Sequence, residues 1–186
     1  MSVSRFSRQS VQAGFPKQQN VWDGTSSTAS MDALGAVVLS TTASSISFTS
    51  IPQTYTNLHI RYMAFGSSYS TLSTQAGSGP RNHYLLGPGS GGGSSGSNTT
   101  TYVPDDATGS TTIPYVAFID ILSYTNTNKT KVVKSFEGFD ANGSGEVLFV
   151  SGLFNSTAAI TSLTFSATAG SSVFAANTTI YLYGIK

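Results

Sequence analysis

A two-residue alternation of apolar and polar side chains is the feature that most restricts the fold of this chain. In "NLHIRYMAF", one face carries Leu58, Ile60, Tyr62 and Ala64, and the other carries His59, Arg61, Met63 and Phe65. Successive side chains of a strand point to opposite sides, so this pattern predicts a β-strand with one buried face. No window shows the 3.6-residue period of an amphipathic helix.

The same pattern recurs along the chain and predicts about nine short strands separated by Gly, Asn and Pro turns. The predicted strands span 36–40, 45–51, 57–65, 83–86, 113–123, 131–137, 146–153, 160–167 and 178–185. Many short strands without helices predict an all-β fold, here an antiparallel β-sandwich of jelly-roll type.

Residues 1–33 lack this period and instead carry isolated aromatic and basic side chains. We interpret them as an extended N-terminal arm that precedes a sandwich domain at 34–186, and a disordered tail is the alternative. The candidate partner-binding residues of the arm are Arg5, Phe6, Arg8, Phe15, Lys17 and Trp22. Trp22 is the only tryptophan of the chain, and tryptophan is favoured at interface hot spots.

A long Gly/Ser-rich loop is predicted at about 66–112. Its segment 87–98, "GPGSGGGSSGSN", contains no large side chain and is predicted to be flexible. It lacks the Gly-Lys-Ser/Thr ending of a phosphate-binding loop. Four tyrosines in or beside the loop could stack on sugars, namely Tyr69, Tyr84, Tyr102 and Tyr115.

Charged residues make up only 9% of the chain, and the formal net charge is +1. A nucleic-acid-binding protein normally has a strong basic excess, so we expect no nucleic-acid partner. No apolar run has the length of a membrane span, and we expect no membrane partner. Because little charge opposes association, we expect a homo-oligomer.

The sequence contains no recognisable catalytic motif. Cysteine is absent, and the two histidines, His59 and His83, stand far apart without neighbouring acids. Nucleophilic catalysis requires a serine or cysteine next to a base, and no such arrangement is evident. We therefore expect neither an enzyme nor a cofactor.

Two charged turns between residues 119 and 145 have structural explanations. In "DANGSGE", Asp140, Asn142 and Ser144 match the start of a calcium loop, but the closing glutamate is missing. We favour a hairpin turn there, with a weak cation site as the alternative. If "TNTN" forms the preceding turn, Asp120 lies near Val133 and diagonal to Lys134, and the opposite charges stabilise the strand pair.

The segment "FIDILSYTNTNKTKVVKSFEGFDANGSGEVLFVSGLF" and the ending "YLYGIK" resemble a family of small virion structural proteins of tailed phages. That family tends to carry an "IDIL-Y-NTNK" hairpin, an "NGSG" turn and a "YGIK" end. The resemblance covers about residues 45–186 and leaves the N-terminal arm outside. It implies a β-sandwich that is built into the phage particle.

The resemblance and the arm together imply a non-enzymatic virion protein, most of all a capsid-decoration or cement protein on the particle surface. Its expected partners are a major capsid protein or a tail adaptor, and a homotrimer is the favoured oligomer. Synthesis would take place in the cytoplasm of the bacterial host. The alternative is a tail-fibre module that recognises host surface glycan.

Overall fold

The fold is described by a computed structural model for residues 31–66, 70–75, 81–89, 91–98, 110–167 and 173–186. These residues contain eleven strands: β1 Met31–Val38, β2 Ser45–Phe48, β3 Asn57–Ala64, β4 Ser70–Thr74, β5 Arg81–Pro88, β6 Ser94–Asn98, β7 Tyr115–Leu122, β8 Lys131–Asp140, β9 Gly145–Phe154, β10 Leu163–Ala167 and β11 Thr179–Ile185. Within the described ranges there is no helix, and hence none that could cross a membrane. The all-β prediction is confirmed.

The strands form two antiparallel sheets that enclose one apolar core. The larger sheet has the order β1-β11-β3-β7-β8-β9-β5-β6, and the smaller sheet has the order β2-β10-β4. Tyr62 of β3 and Phe165 of β10 meet across the core with ring centroids 5.5 Å apart. Phe48 of β2 lies against Gly35 of β1. The architecture is therefore a β-sandwich, while its jelly-roll winding stays a prediction.

Strand β3 has the buried and exposed faces that the alternation of its side chains predicted. Leu58 and Ile60 are fully buried on the core side. Arg61 and Met63 point to the opposite side and are exposed. This strand lies between β11 and β7 near the middle of the larger sheet.

Strands β7, β8 and β9 form a three-stranded meander. The predicted hairpin is confirmed, but its register is one residue away from the predicted one, because Asp120 lies directly opposite Lys134. The predicted register would have placed Val133 on the same side as Asp120. Val133 is fully buried, and a one-residue slip would move it out of the core.

Two strands were missed within the predicted loop at 66–112, namely β4 and β6. Strand β6 falls inside the segment that composition marked as flexible, and it pairs with β5 from Asn82 to Leu86. Pairing through the backbone needs no large side chains. The ring of Tyr84 lies so close to Gly96 that a Cβ atom there would be 2.6 Å from the tyrosine hydroxyl oxygen. Glycine at this position therefore makes room for the ring.

Strand β1 begins at Met31, three residues before the start predicted for the sandwich domain. Strand β1 pairs with β11 over its whole length, with an irregularity between Ala33 and Gly35. A polar cluster reinforces this edge of the sheet. The Asp32 carboxylate accepts a hydrogen bond of 2.9 Å from the Tyr55 hydroxyl and lies 3.1 Å from the Lys186 ammonium.

This cluster leads to a pH-dependent prediction. The Tyr55 hydroxyl and the Lys186 ammonium lower the pKa of Asp32 below its usual value. The cluster should therefore stabilise the fold above about pH 4, and this contribution should vanish as the pH falls through the lowered pKa. We expect Asp32→Asn to be less stable than the wild type at pH 6 in urea unfolding, and we expect this difference to shrink as the pH falls below about 4. If the unfolding free energies of the wild type and the variant differ by the same amount at every pH, the prediction is contradicted.

Candidate functional site

The side of the larger sheet that faces away from the smaller sheet carries an unusual number of large apolar side chains. We call this side the outer face. Its exposed apolar residues are Met63, Leu85, Val116, Phe118, Leu122, Phe136, Val147, Phe149, Leu153 and Tyr181. Single exposed apolar residues are common on proteins, but a contiguous group of this size indicates an interaction surface.

Three phenylalanines form the centre of the outer face. Phe118, Phe136 and Phe149 lie directly opposite one another on β7, β8 and β9. Their side chains remain 44%, 45% and 58% exposed, respectively. The rings of Phe136 and Phe149 are 4.8 Å apart between centroids. The row continues to Arg61 on one side and to Leu85 on the other.

A polar row runs beside the phenylalanines, displaced by two residues along each strand. It consists of Tyr183, His59, Asp120, Lys134, Ser151 and His83, which face one another in register across six strands. The His59 Nδ1 atom lies 2.7 Å from a carboxylate oxygen of Asp120. The ring of His59 also stacks on Phe118, with centroids 6.5 Å apart. His59 therefore links the polar row to the aromatic one.

A shallow depression of about 780 Å³ lies where the two rows cross β5, β7, β8 and β9. Phe118, Phe136 and Phe149 supply its apolar lining, and Asp120 and Lys134 supply opposite charges. Such a mixture can hold either an apolar partner surface with a few fixed charges or the ring of a sugar. Among the described residues, no group of three or more acids and histidines could hold a metal ion.

Of the four tyrosines predicted to bind glycan, the structure describes Tyr84 and Tyr115. Tyr69 and Tyr102 lie outside the described residues. Tyr115 is fully buried, and its hydroxyl donates to Glu137 over 3.2 Å, so its ring cannot stack on a sugar. Tyr84 is half-buried and packs against the core on the side opposite to the outer face.

The arm residues predicted to bind a partner, from Arg5 to Trp22, also lie outside the described residues. The turn at Asp140 is described, and it confirms the predicted hairpin, since Asp140 pairs with Gly145. The Asp140 carboxylate accepts a 2.8 Å hydrogen bond from the backbone amide of Asn142. The carboxylate thus stabilises its own turn, and the weak cation site stays a prediction.

A buried lysine is a polar feature that sequence reasoning did not find. Lys131 is only 1% exposed, and its ammonium donates to the backbone carbonyls of Asn126, Lys129 and Thr157. Burial lowers the pKa of Lys131. The side chain connects the β7–β8 loop to the segment after β9. Its role is therefore structural.

The outer face was likewise missed by sequence reasoning, although a signal for it exists. In "YVAFIDIL" and "EVLFVSGLF", apolar residues occupy both sides of the strand rather than one. Such runs are typical of strands that are covered on both faces. Here the smaller sheet covers one face only, so the apolar side chains of the other face are exposed.

No family model matches the chain, and no curated protein or solved structure matches it.

Proposed function

We propose that this protein is a non-enzymatic structural protein of a tailed-phage particle. In this proposal it decorates or cements the capsid, and its N-terminal segment attaches it to a capsid or tail protein. The observation that carries the proposal is the outer face, because a broad apolar sheet surface suits contact with another protein. The low charge of the chain and its resemblance to small virion proteins also support the proposal.

The attachment can be tested by quantifying the protein in purified particles by mass spectrometry. We expect hundreds of copies per particle for a capsid protein, against about a dozen for a tail protein. Replacing Phe6, Phe15 and Trp22 together by serine should reduce the copy number at least tenfold, because these aromatics are the proposed anchors.

A matched control replaces Gln9, Gln12 and Gln18 by serine in the same segment and should leave the copy number unchanged. Both variants should keep the circular dichroism spectrum of the wild type. Normal occupancy of the triple aromatic variant would show that attachment does not use this segment. Absence of the protein from particles would refute the virion assignment itself.

The depression on the outer face favours recognition of a host surface glycan as a second candidate function. Aromatic rings can cover the apolar side of a sugar, and Asp120 or Lys134 could bind its hydroxyl groups. A glycan array would test this function, with Phe149→Ser as the variant that removes an exposed ring. If no host polysaccharide binds the wild-type protein, this candidate is excluded.

A further inference from the structure

We propose that two copies of this chain pack outer face to outer face around a two-fold axis that runs parallel to the strands, between β7 and β8. In this arrangement β7 of one copy lies over β8 of the other, and β3 lies over β9. The inference goes beyond the particle assignment and does not depend on it. It rests on the size, the symmetry and the charge pattern of the outer face.

The outer face is large enough for a stable dimer. From β11 to β5 the sheet spans six strands, or roughly 24 Å, and strands of seven to ten residues extend for about 24 to 34 Å. The three half-exposed phenylalanines alone present on the order of 300 Å². A standard interface buries about 800 Å² on each partner, which a surface of these dimensions can supply.

The proposed axis passes through the centre of the larger sheet. Four strands, β1, β11, β3 and β7, lie on one side of the boundary between β7 and β8, and four lie on the other. Rotation about an axis parallel to the strands does not change the position of a cross-strand row along the strand direction. The polar row therefore meets the polar row of the second copy, and the phenylalanine row meets the phenylalanine row.

The charges of the polar row are complementary under this rotation. Asp120 of β7 and Lys134 of β8 are direct neighbours across the boundary. Asp120 of one copy therefore lies over Lys134 of the second copy, and Lys134 lies over Asp120 of the second copy. The Asp120 side chain is 54% exposed and retains acceptor capacity beyond its hydrogen bond with His59. Among the described residues, no carboxylate forms an ion pair with Lys134.

The rings are complementary under the same rotation. Phe118 lies over Phe136 of the second copy, and Arg61 lies over Phe149. Aromatic pairs stabilise an interface beyond the effect of their buried area, and an arginine over a ring is attracted to its face. Each of these contacts occurs twice because the interface is symmetric.

Three other two-fold arrangements of this face bring like charges together or bury a charge without a partner. An axis along β8 would place Lys134 of one copy over Lys134 of the other. An axis along the polar row would place Asp120 of one copy over Asp120 of the other. An axis between the two rows would bury Asp120 against Phe118 without a partner charge. Buried unpaired or like charges are costly, so the axis between β7 and β8 is favoured. A dimer of this kind would replace the trimer that the sequence suggested.

The test measures the oligomeric state of the purified full-length chain by sedimentation and light scattering at micromolar concentration. We expect a dimer for the wild type. Asp120→Lys and Lys134→Asp should each raise the dissociation constant at least tenfold, because each places like charges opposite one another twice. An equimolar mixture of these two variants should form heterodimers, since every pair is then Lys opposite Asp. The double variant should also regain dimerisation.

Recovery in the mixture separates a lost contact from a lost fold, because a misfolded variant could not be rescued by its counterpart. A wild-type monomer or trimer would overturn the proposal, as would a mixture that stays monomeric. Deletion of residues 2–24 should leave the dimer intact. If this deletion abolishes dimerisation, the N-terminal segment makes the contact and the face-to-face model is wrong. Glycan binding by a wild-type monomer through Phe149 would also overturn it.

Discussion

Replacing Gly138 by alanine should lower the free energy of unfolding by about 3 to 5 kcal/mol. Gly138 lies in β8 with a φ of 157°, a value that residues with a side chain rarely adopt. A Cβ atom built at this position lies 2.1 Å from the carbonyl oxygen of Glu146. That oxygen belongs to the backbone of the paired strand β9, so the clash cannot be relieved by turning a side chain. The β8–β9 pair would have to separate locally.

Gly87→Ala is the matched control for this substitution. Gly87 and Gly138 lie on either side of Val147 in register, in the same cross-strand row. The nearest atom to a Cβ at Gly87 is a backbone oxygen at 3.8 Å, an ordinary contact distance. We expect a change within about 0.5 kcal/mol for Gly87→Ala. If Gly138→Ala and Gly87→Ala lower the unfolding free energy equally in denaturant titrations, the proposed clash is contradicted.

Replacing Lys131 by methionine should cost about 2 kcal/mol or more of unfolding free energy. Methionine retains an unbranched apolar side chain but removes the ammonium, so the carbonyls of Asn126, Lys129 and Thr157 lose their common donor. Part of this cost is offset, since the burial of a charge is itself unfavourable. Lys129→Ala is the control, because the Lys129 side chain is exposed and should contribute almost nothing.

The pH dependence of the same variant provides a second readout. Burial lowers the pKa of Lys131 in the folded state, so the unfolded state binds more protons between this pKa and about 10.4. The stability contribution of this group should therefore rise with pH over that window. Lys131→Met should remove this rise. A methionine variant that is as stable as the wild type, with an unchanged pH profile, would show that the three carbonyls do not depend on the lysine.

The sequence predicted those parts of the fold in which side-chain chemistry differs between the two faces of a strand. Strand β3 was predicted because Leu58 and Ile60 alternate with His59 and Arg61. Strand β6 was missed because its Ser and Gly residues carry no such difference. Its position is determined by backbone pairing with β5, which composition does not report.

The candidate site was harder to predict than the fold for a related reason. Phe118, Phe136 and Phe149 are separated by more than ten residues along the chain, and only the strand register brings them into one row. The register itself was predicted with an error of one residue, because the loop between β7 and β8 contains an irregular turn at Ser123 with a φ of 52°. A surface that depends on register across several strands cannot be found from one strand at a time.

The position of β11 has a consequence for how the protein folds during translation. Strand β11 lies between β1 and β3 and is the only strand in the described sheet that pairs with β1. The β7–β8–β9 meander can form from neighbouring segments while the chain is still growing. Strand β1, although it is synthesised before the other described strands, must wait for β11 to leave the ribosome. Among the described strands, the first in chain order is therefore held in place by the eleventh, and a nascent chain exposes an unpaired β3 edge until then.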